Sequence, residues 1–297
     1  PAAMSRFQPR SRPMQMLRSS VGQSTLMLLT SGAASAAAWG LGHLSIPLAA
    51  GAAAVGAGLA YLVGRGRRAT ALDSADLRHK TVVVTGANTG IGLETCKALI
   101  SVGAHVIMVC RTAQRGVLAK ETVVAAARLG GSAELVVMDL ADLASVQAAV
   151  ETISDLGVSI SILINNAGIM MCPWGTTIQG HETQWGVNHL GHFALAQALM
   201  PLLEKTAKEP GSDVRVVALS STGHKLSDIR WDDPHWNDGE YDKWQAYGQA
   251  KTADALFAVG MNARLARHGG RAFSVHPGGI MTPLQRHLDK EEMAALG

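Results

Sequence analysis

The 297-residue chain is long enough for one sizeable α/β domain, and its 47% hydrophobic content excludes a disordered or fibrous protein. Seven arginines and no acidic residue precede Asp73, which leaves 19 basic against 23 acidic residues from there on. Because that remainder is mildly acidic, nucleic acid is not an expected partner, despite the whole chain's net charge of +3.

The first 77 residues divide by composition into a basic leader, an apolar segment and a linker. Residues 1–20 are rich in Arg, Ser, Pro and Gln, residues 21–64 lack Asp, Glu, Lys and Arg, and residues 65–77 contain three arginines near their start. Residues 44–63 are an apolar run rich in Ala and Gly. A helix of about 20 residues spans roughly 30 Å, the thickness of a bilayer's hydrocarbon core.

Three interpretations of this region stay open. By the positive-inside rule, residues 44–63 predict a membrane anchor that leaves the following domain on the arginine side. An Arg/Ser-rich start without acidic residues is also typical of a cleaved targeting peptide of a mitochondrion or plastid. The third interpretation is a low-complexity linker. Three cysteines without paired or metal-like spacing indicate a reducing compartment in each case.

A glycine-rich turn between a predicted strand at 81–84 and a predicted helix at 93–102 is the main functional motif. The turn reads T-G-A-N-T-G-I-G. Gly86 permits a tight turn, Gly90 lets the backbone approach a pyrophosphate, and Gly92 allows close packing of helix on strand. The first N–H groups of the helix then attract phosphate. The residues predicted to bind a dinucleotide here are Gly86, Asn88, Thr89, Gly90, Ile91 and Gly92.

Strand-like and helix-like segments alternate from Asp73 onward. The predicted strands are residues 81–84, 105–109, 134–138, 161–164, 215–219 and 271–275. The predicted helices are residues 93–102, 113–129, 143–156, 184–203 and 244–267. Short apolar runs that alternate with helices indicate a mostly parallel sheet covered on both faces. Right-handed crossovers then predict a doubly wound, Rossmann-type α/β domain over residues 78–297.

Arg111 follows the second predicted strand, in the sequence Val-Cys-Arg. Sites that prefer NAD usually place an acidic residue there for the ribose hydroxyls, whereas an arginine can pair with a 2′-phosphate. The sequence therefore predicts NADP(H) rather than NAD(H) as the cofactor. Arg115 could share this role, and the alternative for Arg111 is a solvated arginine at a helix start.

The third and fourth predicted strands also end in polar or small residues. Asp139 and Leu140 end the third strand, where the aspartate can reach an adenine amino group or cap the next helix. Asn166, Ala167 and Gly168 follow the fourth strand in the motif N-N-A-G. Their amide and glycine can line the cofactor, although a bare turn is the alternative for that motif alone.

Tyr247 and Lys251 are four residues apart on a predicted helix and so share one face of it. A cation near a phenol favours the phenolate, and a general acid–base must exchange its proton near the working pH. Ser220 and Ser221 end the fifth predicted strand, where a hydroxyl can hydrogen-bond a substrate carbonyl. Each of these patterns alone is common on protein surfaces.

Together the motifs resemble the short-chain dehydrogenase/reductase family. They are T-G-A-N-T-G-I-G, N-N-A-G, V-N-H-L-G-H-F, S-S, Y-G-Q-A-K and H-P-G-G-I-M-T, in the family's order and approximate spacing over about residues 78–288. The long connection between the serine pair and the tyrosine is similar to the branch of retinol dehydrogenases and the WW-domain oxidoreductase.

The resemblance implies a four-residue catalytic site. Tyr247 would donate or accept the hydroxyl proton, and Lys251 would bind the nicotinamide ribose and favour the phenolate. Ser221 would polarise the carbonyl, with Ser220 as its substitute. Asn188 would help to hold a water linked to the lysine.

The resemblance also implies cofactor contacts near the end of the chain. Pro277 and Gly278 would border the nicotinamide, and Thr282 would reach its carboxamide. Family members usually continue through a substrate-covering helix and a final edge strand, of which residues 284–292 would only begin the first part. We therefore expect the last strand to be missing, and a homo-oligomer through that edge is left undecided.

The predicted function is interconversion of a carbonyl and an alcohol by hydride transfer with NADP(H), on a small lipophilic substrate that is retinoid-like or another aldehyde or ketone. The alternative is a catalytically impaired NADP(H)-binding regulatory or scaffold protein, and a sugar-nucleotide epimerase is a third interpretation. No metal site is predicted, because His181, His189 and His192 do not share one helical face and are better explained as satisfied polar contacts.

Overall fold

The computed structural model describes residues 75–296, which contain an alternating series of strands and helices. The basic leader, the apolar segment and the proposed anchor at 44–63 lie outside the described residues. Among residues 75–296, no helix combines the length and the apolar character that crossing a bilayer requires.

The first half of the described chain alternates strictly between strand and helix, and the second half adds short helical turns around the long helices. The strands are β1 Thr81–Thr85, β2 His105–Cys110, β3 Ser132–Val137, β4 Ile160–Asn165, β5 Arg215–Leu219 and β6 Arg271–Val275. The α-helices are α1 Gly90–Ser101, α2 Ala113–Val124, α3 Leu143–Asp155, α4 Thr183–Trp185, α5 Gly191–Ala207, α6 Lys243–Leu265 and α7 Lys290–Leu296. A π-helical segment, Gly186–Leu190, joins α4 to α5, and the 3₁₀ turns are Thr222–Leu226, Ala266–His268 and Pro283–Gln285.

The six strands form one sheet in the order β3-β2-β1-β4-β5-β6, and every neighbouring pair is parallel. The strand order reverses between β1 and β4, where the chain leaves the first half of the sheet for the second. In such sheets, ligands bind in the crevice beyond the carboxyl ends of the strands at this point. The predicted doubly wound parallel sheet is confirmed.

Both faces of the sheet are buried, as side-chain alternation along β1 illustrates. Val82 and Val84 pack with Cys96 and Ile100 of α1, whereas Val83 points to the opposite face. That second face packs against α3, α5 and α6 through residues such as Leu199. The helices therefore cover the sheet on both sides and hold the carboxyl ends of β1, β4 and β5 at one rim.

Candidate active site

The glycine-rich turn between β1 and α1 is closely packed against the sheet. Gly86 has φ +65° and Gly90 has φ +54°, a left-handed conformation that glycine adopts without strain. A Cβ atom at Gly92 would lie 2.3 Å from the carbonyl oxygen of Gly86. Helix α1 can therefore begin this close to the end of β1 only with glycine at position 92.

The start of α1 has the features of an anion site. Thr89 is the N-cap residue, yet its side chain accepts no hydrogen bond from the first turn of the helix. The N–H groups of that turn, beginning at Gly90, thus lack a side-chain cap and carry the positive end of the helix dipole. Thr282 lies opposite, 3.3 Å from the position of a Cβ at Gly90. These groups fit the diphosphate of a dinucleotide.

The N-N-A-G motif after β4 is bonded to the end of β1. Asn166 Nδ2 donates to the carbonyl oxygen of Thr85 at 2.7 Å, and the backbone N–H groups of Asn166 and Ala167 donate to Thr85 Oγ1 at 2.9 and 3.0 Å. Gly168 lies beside Asn188, whose Oδ1 is 3.3 Å from the position of a Cβ at that glycine. The ends of β1 and β4 are therefore joined by hydrogen bonds between side chains and backbone.

The residues after β2 and β3 differ in their exposure. Arg111 and Arg115 are both exposed, at the end of β2 and in the first turn of α2. Asp139 Oδ1 accepts a hydrogen bond from the N–H of Ala141 at 2.9 Å. The alternative that Asp139 caps the next helix is wrong, because Asp142 is the N-cap residue of α3. Leu140 is buried.

Tyr247 and one of the two serines lie side by side. A Cβ atom at Gly223 would be 2.8 Å from Tyr247 Cε1 and 3.3 Å from Ser221 Oγ, so both side chains border the same glycine. Ser220 is instead buried, and its hydroxyl donates to the carbonyl oxygen of Lys251 at 2.7 Å. Of the pair, Ser221 is therefore the one whose hydroxyl lies near the Tyr247 ring, and its Oγ accepts from the N–H of Gly223 at 3.0 Å.

Lys251 lies on the face of α6 that carries Tyr247. Its Nζ is 5.8 Å from the centroid of the Tyr247 ring and donates to the carbonyl oxygen of Leu219, at the end of β5, at 2.7 Å. Both Tyr247 and Lys251 are buried. Tyr247, Lys251 and Ser221 thus lie at the carboxyl end of β5, where the ammonium bonds the last carbonyl of the strand and the phenol ring and the Ser221 hydroxyl border Gly223.

Asn188 lies in the π-helical segment and is fully bonded. Its amide accepts from the N–H of Ile169 and donates to the carbonyl oxygen of Ile169, both at 2.9 Å. Its own carbonyl oxygen lies 2.8 Å from His192 Nδ1. His192 Nε2 in turn lies 2.8 Å from Thr85 Oγ1. The residue implied to hold a water therefore also links the N-N-A-G segment to β1 through His192.

His192 is buried, and no ion pair within residues 75–296 includes it. Burial lowers the pKa of His192 to about 4, although the Asn188 carbonyl acts in the opposite direction. A neutral ring with N–H at Nδ1 fits a carbonyl on that side and a hydroxyl donor on the other. Among residues 75–296, no group of three or more His, Cys, Asp or Glu side chains is arranged to hold a metal ion.

The segment between β6 and α7 passes over the tyrosine. Gly278 has φ +91° and is exposed, and Pro277 is half-buried beside it. Farther along, Lys243 Nζ pairs with Glu292 Oε1 at 2.6 Å and ties α7 to the start of α6. The buried or half-buried apolar side chains that pack around Tyr247 are Met170, Met171, Leu226, Trp244, Leu284 and Leu288. Apolar side chains therefore line the part of the structure that contains Tyr247.

Two buried acidic residues were missed by sequence reasoning. Glu182 caps the helical stretch that carries Asn188, since it accepts from the N–H groups of Gln184 and Trp185 and from the Tyr241 hydroxyl at 2.7–2.9 Å. Asp254 Oδ2 accepts from the ammonium of Lys251 at 2.8 Å. Two sequence signals could have identified them. Glu182 is an acidic residue just before a helix start, and Asp254 is an acidic residue one helical turn after Lys251.

Comparison with known proteins agrees with this architecture. Residues 80–231 match the family model described as short chain dehydrogenase. A solved structure of an uncharacterised protein from Mycobacterium paratuberculosis is 38% identical, with a TM-score of 0.60 and 76% of each chain covered.

Two curated relatives show the branch. Short-chain dehydrogenase/reductase prx1 of Penicillium roqueforti is 36% identical over 225 residues, which cover 75% of this chain and 64% of that protein. Retinol dehydrogenase 12 of Mus musculus is 40% identical over 210 residues, which cover 70% of this chain and 64% of that protein. The aligned part of the chain thus spans slightly less than two thirds of either relative's length. The protein belongs to the short-chain dehydrogenase/reductase family of oxidoreductases, in the branch that resembles retinol dehydrogenases.

Proposed function

We propose that the protein interconverts a carbonyl and an alcohol on a small lipophilic substrate, with NADP(H) as the cofactor and Tyr247 as the general acid–base. The observation that carries the proposal is that Tyr247, Ser221 and Lys251 lie together at the carboxyl end of β5, in the same sheet whose β1 leads into the uncapped start of α1. A hydroxyl, a phenol and an ammonium at the rim of a dinucleotide crevice are the groups that carbonyl reduction requires.

Each residue has a defined part in the proposed reaction. The bound nicotinamide supplies or accepts the hydride. Ser221 Oγ donates a hydrogen bond to the substrate oxygen and polarises the carbonyl, while Tyr247 gives that oxygen its proton during reduction and takes it back during oxidation. Lys251 keeps a positive charge near the phenol and stabilises the phenolate that remains. Burial of this group excludes bulk water from the proton transfer.

The cofactor is proposed to lie along the rim from Arg111 to Thr282. The first turn of α1 would bind the diphosphate, and exposed Arg111 would pair with a 2′-phosphate, with Arg115 as a second cation. Asn166, Ala167 and Gly168 would line the cofactor at the switch point of the sheet. The substrate would face the apolar side chains around Tyr247, which supports an apolar rather than a charged compound.

The test compares two single variants, each of which lacks the hydroxyl of one tyrosine. Tyr247→Phe should lower NADPH-dependent reduction of an active aldehyde or ketone by about 10²–10⁴-fold, the usual share of a general acid–base. Fluorescence titration should still show NADPH binding, because the phenol is not a phosphate ligand. Turnover is measured from NADPH absorbance against a panel of aliphatic, aromatic and polyunsaturated aldehydes and ketones.

Tyr241→Phe is the matched control. Tyr241 also loses a hydroxyl, which here donates to Glu182 rather than facing the crevice. We expect this variant to melt at a lower temperature but to keep turnover below its melting temperature. Retained turnover in Tyr247→Phe would contradict the proposal. Tight NADPH binding by the wild-type protein without turnover of any panel compound would instead favour the regulatory alternative.

A further inference from the structure

Asp254 is a buried carboxylate that no step of the proposed reaction uses. It lies on α6 one helical turn after Lys251 and is 5% exposed. Its Oδ2 accepts from Lys251 Nζ at 2.8 Å, and its Oδ1 lies 3.5 Å from His189 Nδ1. Because a buried carboxylate is stable only when it is paired, Asp254 and Lys251 form one electrostatic unit.

The pair remains ionised in the folded protein. Burial alone would lower the pKa of Lys251, but the interactions of Lys251 with Asp254 and with Tyr247 together outweigh burial and the pKa is raised. Burial likewise acts to raise the pKa of Asp254, but the interactions of Asp254 with Lys251 and with His189 together outweigh burial and the pKa is lowered. The ammonium is therefore held between the Leu219 carbonyl and Asp254, and it faces the Tyr247 ring with its charge already compensated.

The other titratable groups around Lys251 do not supply the negative charge that Asp254 provides. Lys251 faces Asp254 from α6 itself, Tyr247 faces Lys251 from the same helix, and His189 and His192 face Asp254 from the π-helical segment and α5. His192 is neutral at ordinary pH because burial lowers its pKa to about 4. Among residues 75–296, Asp254 is the carboxylate in contact with the ammonium.

We propose that Asp254 is a positioning residue that sets the pH at which the Tyr247–Lys251 pair releases its first proton. With Asp254 ionised, loss of that proton to solvent takes the three groups from net charge zero to net charge −1. Without the carboxylate, the same loss would take the pair from +1 to zero. A buried site loses a proton more readily from the cationic state, and the proton in question is that of Tyr247.

The consequence for the enzyme is a bias toward the proton-donating form of the site. At neutral pH, Asp254 keeps more of Tyr247 protonated, and the protonated phenol is the form that carbonyl reduction uses. This inference rests on the proposed function only in its use of Tyr247 as the acid–base. The ionisation of Tyr247 can be measured without substrate or cofactor.

The experiment follows the near-ultraviolet absorbance of phenolate as the pH is raised, in the wild-type protein and in Asp254→Asn. The step that Tyr247→Phe removes from each titration belongs to Tyr247. We expect its midpoint to fall by about 1–3 pH units in Asp254→Asn, the usual effect of one nearby charge. The acidic limb of kcat for alcohol oxidation with NADP⁺ should move in the same direction.

Asp213→Asn is the control, because it breaks an exposed ion pair, with Arg215, away from the crevice. Its Tyr247 midpoint should equal that of the wild type. If Asp254→Asn does not fold, Asp254→Ser provides a smaller uncharged variant for the same titration. An unchanged or higher Tyr247 midpoint in a folded uncharged variant would overturn the inference. Failure of the proposed function would appear separately, as turnover retained in Tyr247→Phe.

Discussion

Arg111 is the residue on which the proposed preference for NADP(H) depends. It is exposed where β2 ends, at the rim that also carries the glycine-rich turn. The N–H of Ala87 in that turn donates to the carbonyl oxygen of Val109 in β2, so turn and strand end are adjacent. A guanidinium there can make charge-assisted hydrogen bonds to a phosphate that NAD(H) lacks.

Arg111→Ala should therefore lower the ratio of kcat/KM for NADPH over NADH by about 10–100-fold, since such bonds contribute about 1.5–3 kcal/mol. Steady-state rates with both cofactors give this ratio. Arg128→Ala removes an exposed arginine from the turn after α2 and should leave the ratio unchanged. If the ratio is unchanged in Arg111→Ala and in the Arg111→Ala/Arg115→Ala double variant, the preference has another origin.

Site residues differ in how far the sequence could identify them. The pairing of Tyr247 with Lys251 follows from their i, i+4 spacing, because residues four apart share one face of a helix in any fold. The choice of Ser221 over Ser220 depends on which hydroxyl turns back to the Lys251 carbonyl, which is a tertiary contact. To identify Asp254 one must know both its position around the helix axis and its depth of burial, and the sequence supplies only the position.

At the scale of elements, apolar runs and glycine positions predicted the strands of the sheet and the helices that cover it. Two local features were not predicted. Helix α2 ends at Val124, whereas the pattern predicted a helix to residue 129. Beyond the helix the N–H of Arg128 donates to the carbonyl oxygen of Ile100 at 3.4 Å, and a Cβ at Gly131 would lie 2.2 Å from that same oxygen, so the chain packs against the end of α1 instead of continuing the helix. The π-helical segment around Asn188 was also not predicted, since an extra residue in a helical turn leaves no periodic signature.

The segment formed by residues 282–292 covers the tyrosine and has two kinds of attachment. Leu284 and Leu288 pack in the apolar cluster around Tyr247. Glu292 pairs with Lys243 at the start of α6 at 2.6 Å. Because apolar packing is not directional, the ion pair is the contact that fixes where this segment lies along α6.

Glu292→Gln should loosen this segment without altering the glycine-rich turn. A partly exposed ion pair contributes about 0.5–1 kcal/mol, so amide hydrogen exchange in residues 283–293 should become about 2–5-fold faster. Exchange is measured by mass spectrometry at neutral pH. Glu291→Gln is the control, because this exposed neighbour makes no ion pair among the described residues. Equal exchange rates in the two variants would show that apolar packing alone holds the segment.

At the scale of the whole molecule, the crevice is stabilised by polar groups buried where the strands end. His192 connects Thr85 of β1 with Asn188, and Asn166 bonds the same strand end from β4. These bonds join the two halves of the sheet at the point where its strand order reverses. Protonation of the imidazole would place an uncompensated charge there, and so the folding equilibrium must depend on pH.

The sign of this dependence follows from the pKa of His192, which burial lowers from 6.5 to about 4. Below about pH 6.5 the unfolded chain binds a proton at His192 that the folded protein does not bind. The contribution of His192 is fully present above that pH and is lost as the pH falls toward 4. Over this window the loss amounts to roughly 3 kcal/mol of the free energy of unfolding.

His192→Gln should flatten this loss, because glutamine can bond Thr85 and Asn188 but does not titrate. Urea unfolding between pH 7 and pH 4 gives the free energy of unfolding for the wild type and the variant. Other groups, such as Glu182, whose pKa burial raises, contribute equally to both proteins and cancel in the difference. His79→Asn, at an exposed position with φ +69° that asparagine tolerates, should keep the wild-type slope. If wild type and His192→Gln lose stability in parallel, the imidazole is not what makes this crevice sensitive to acid.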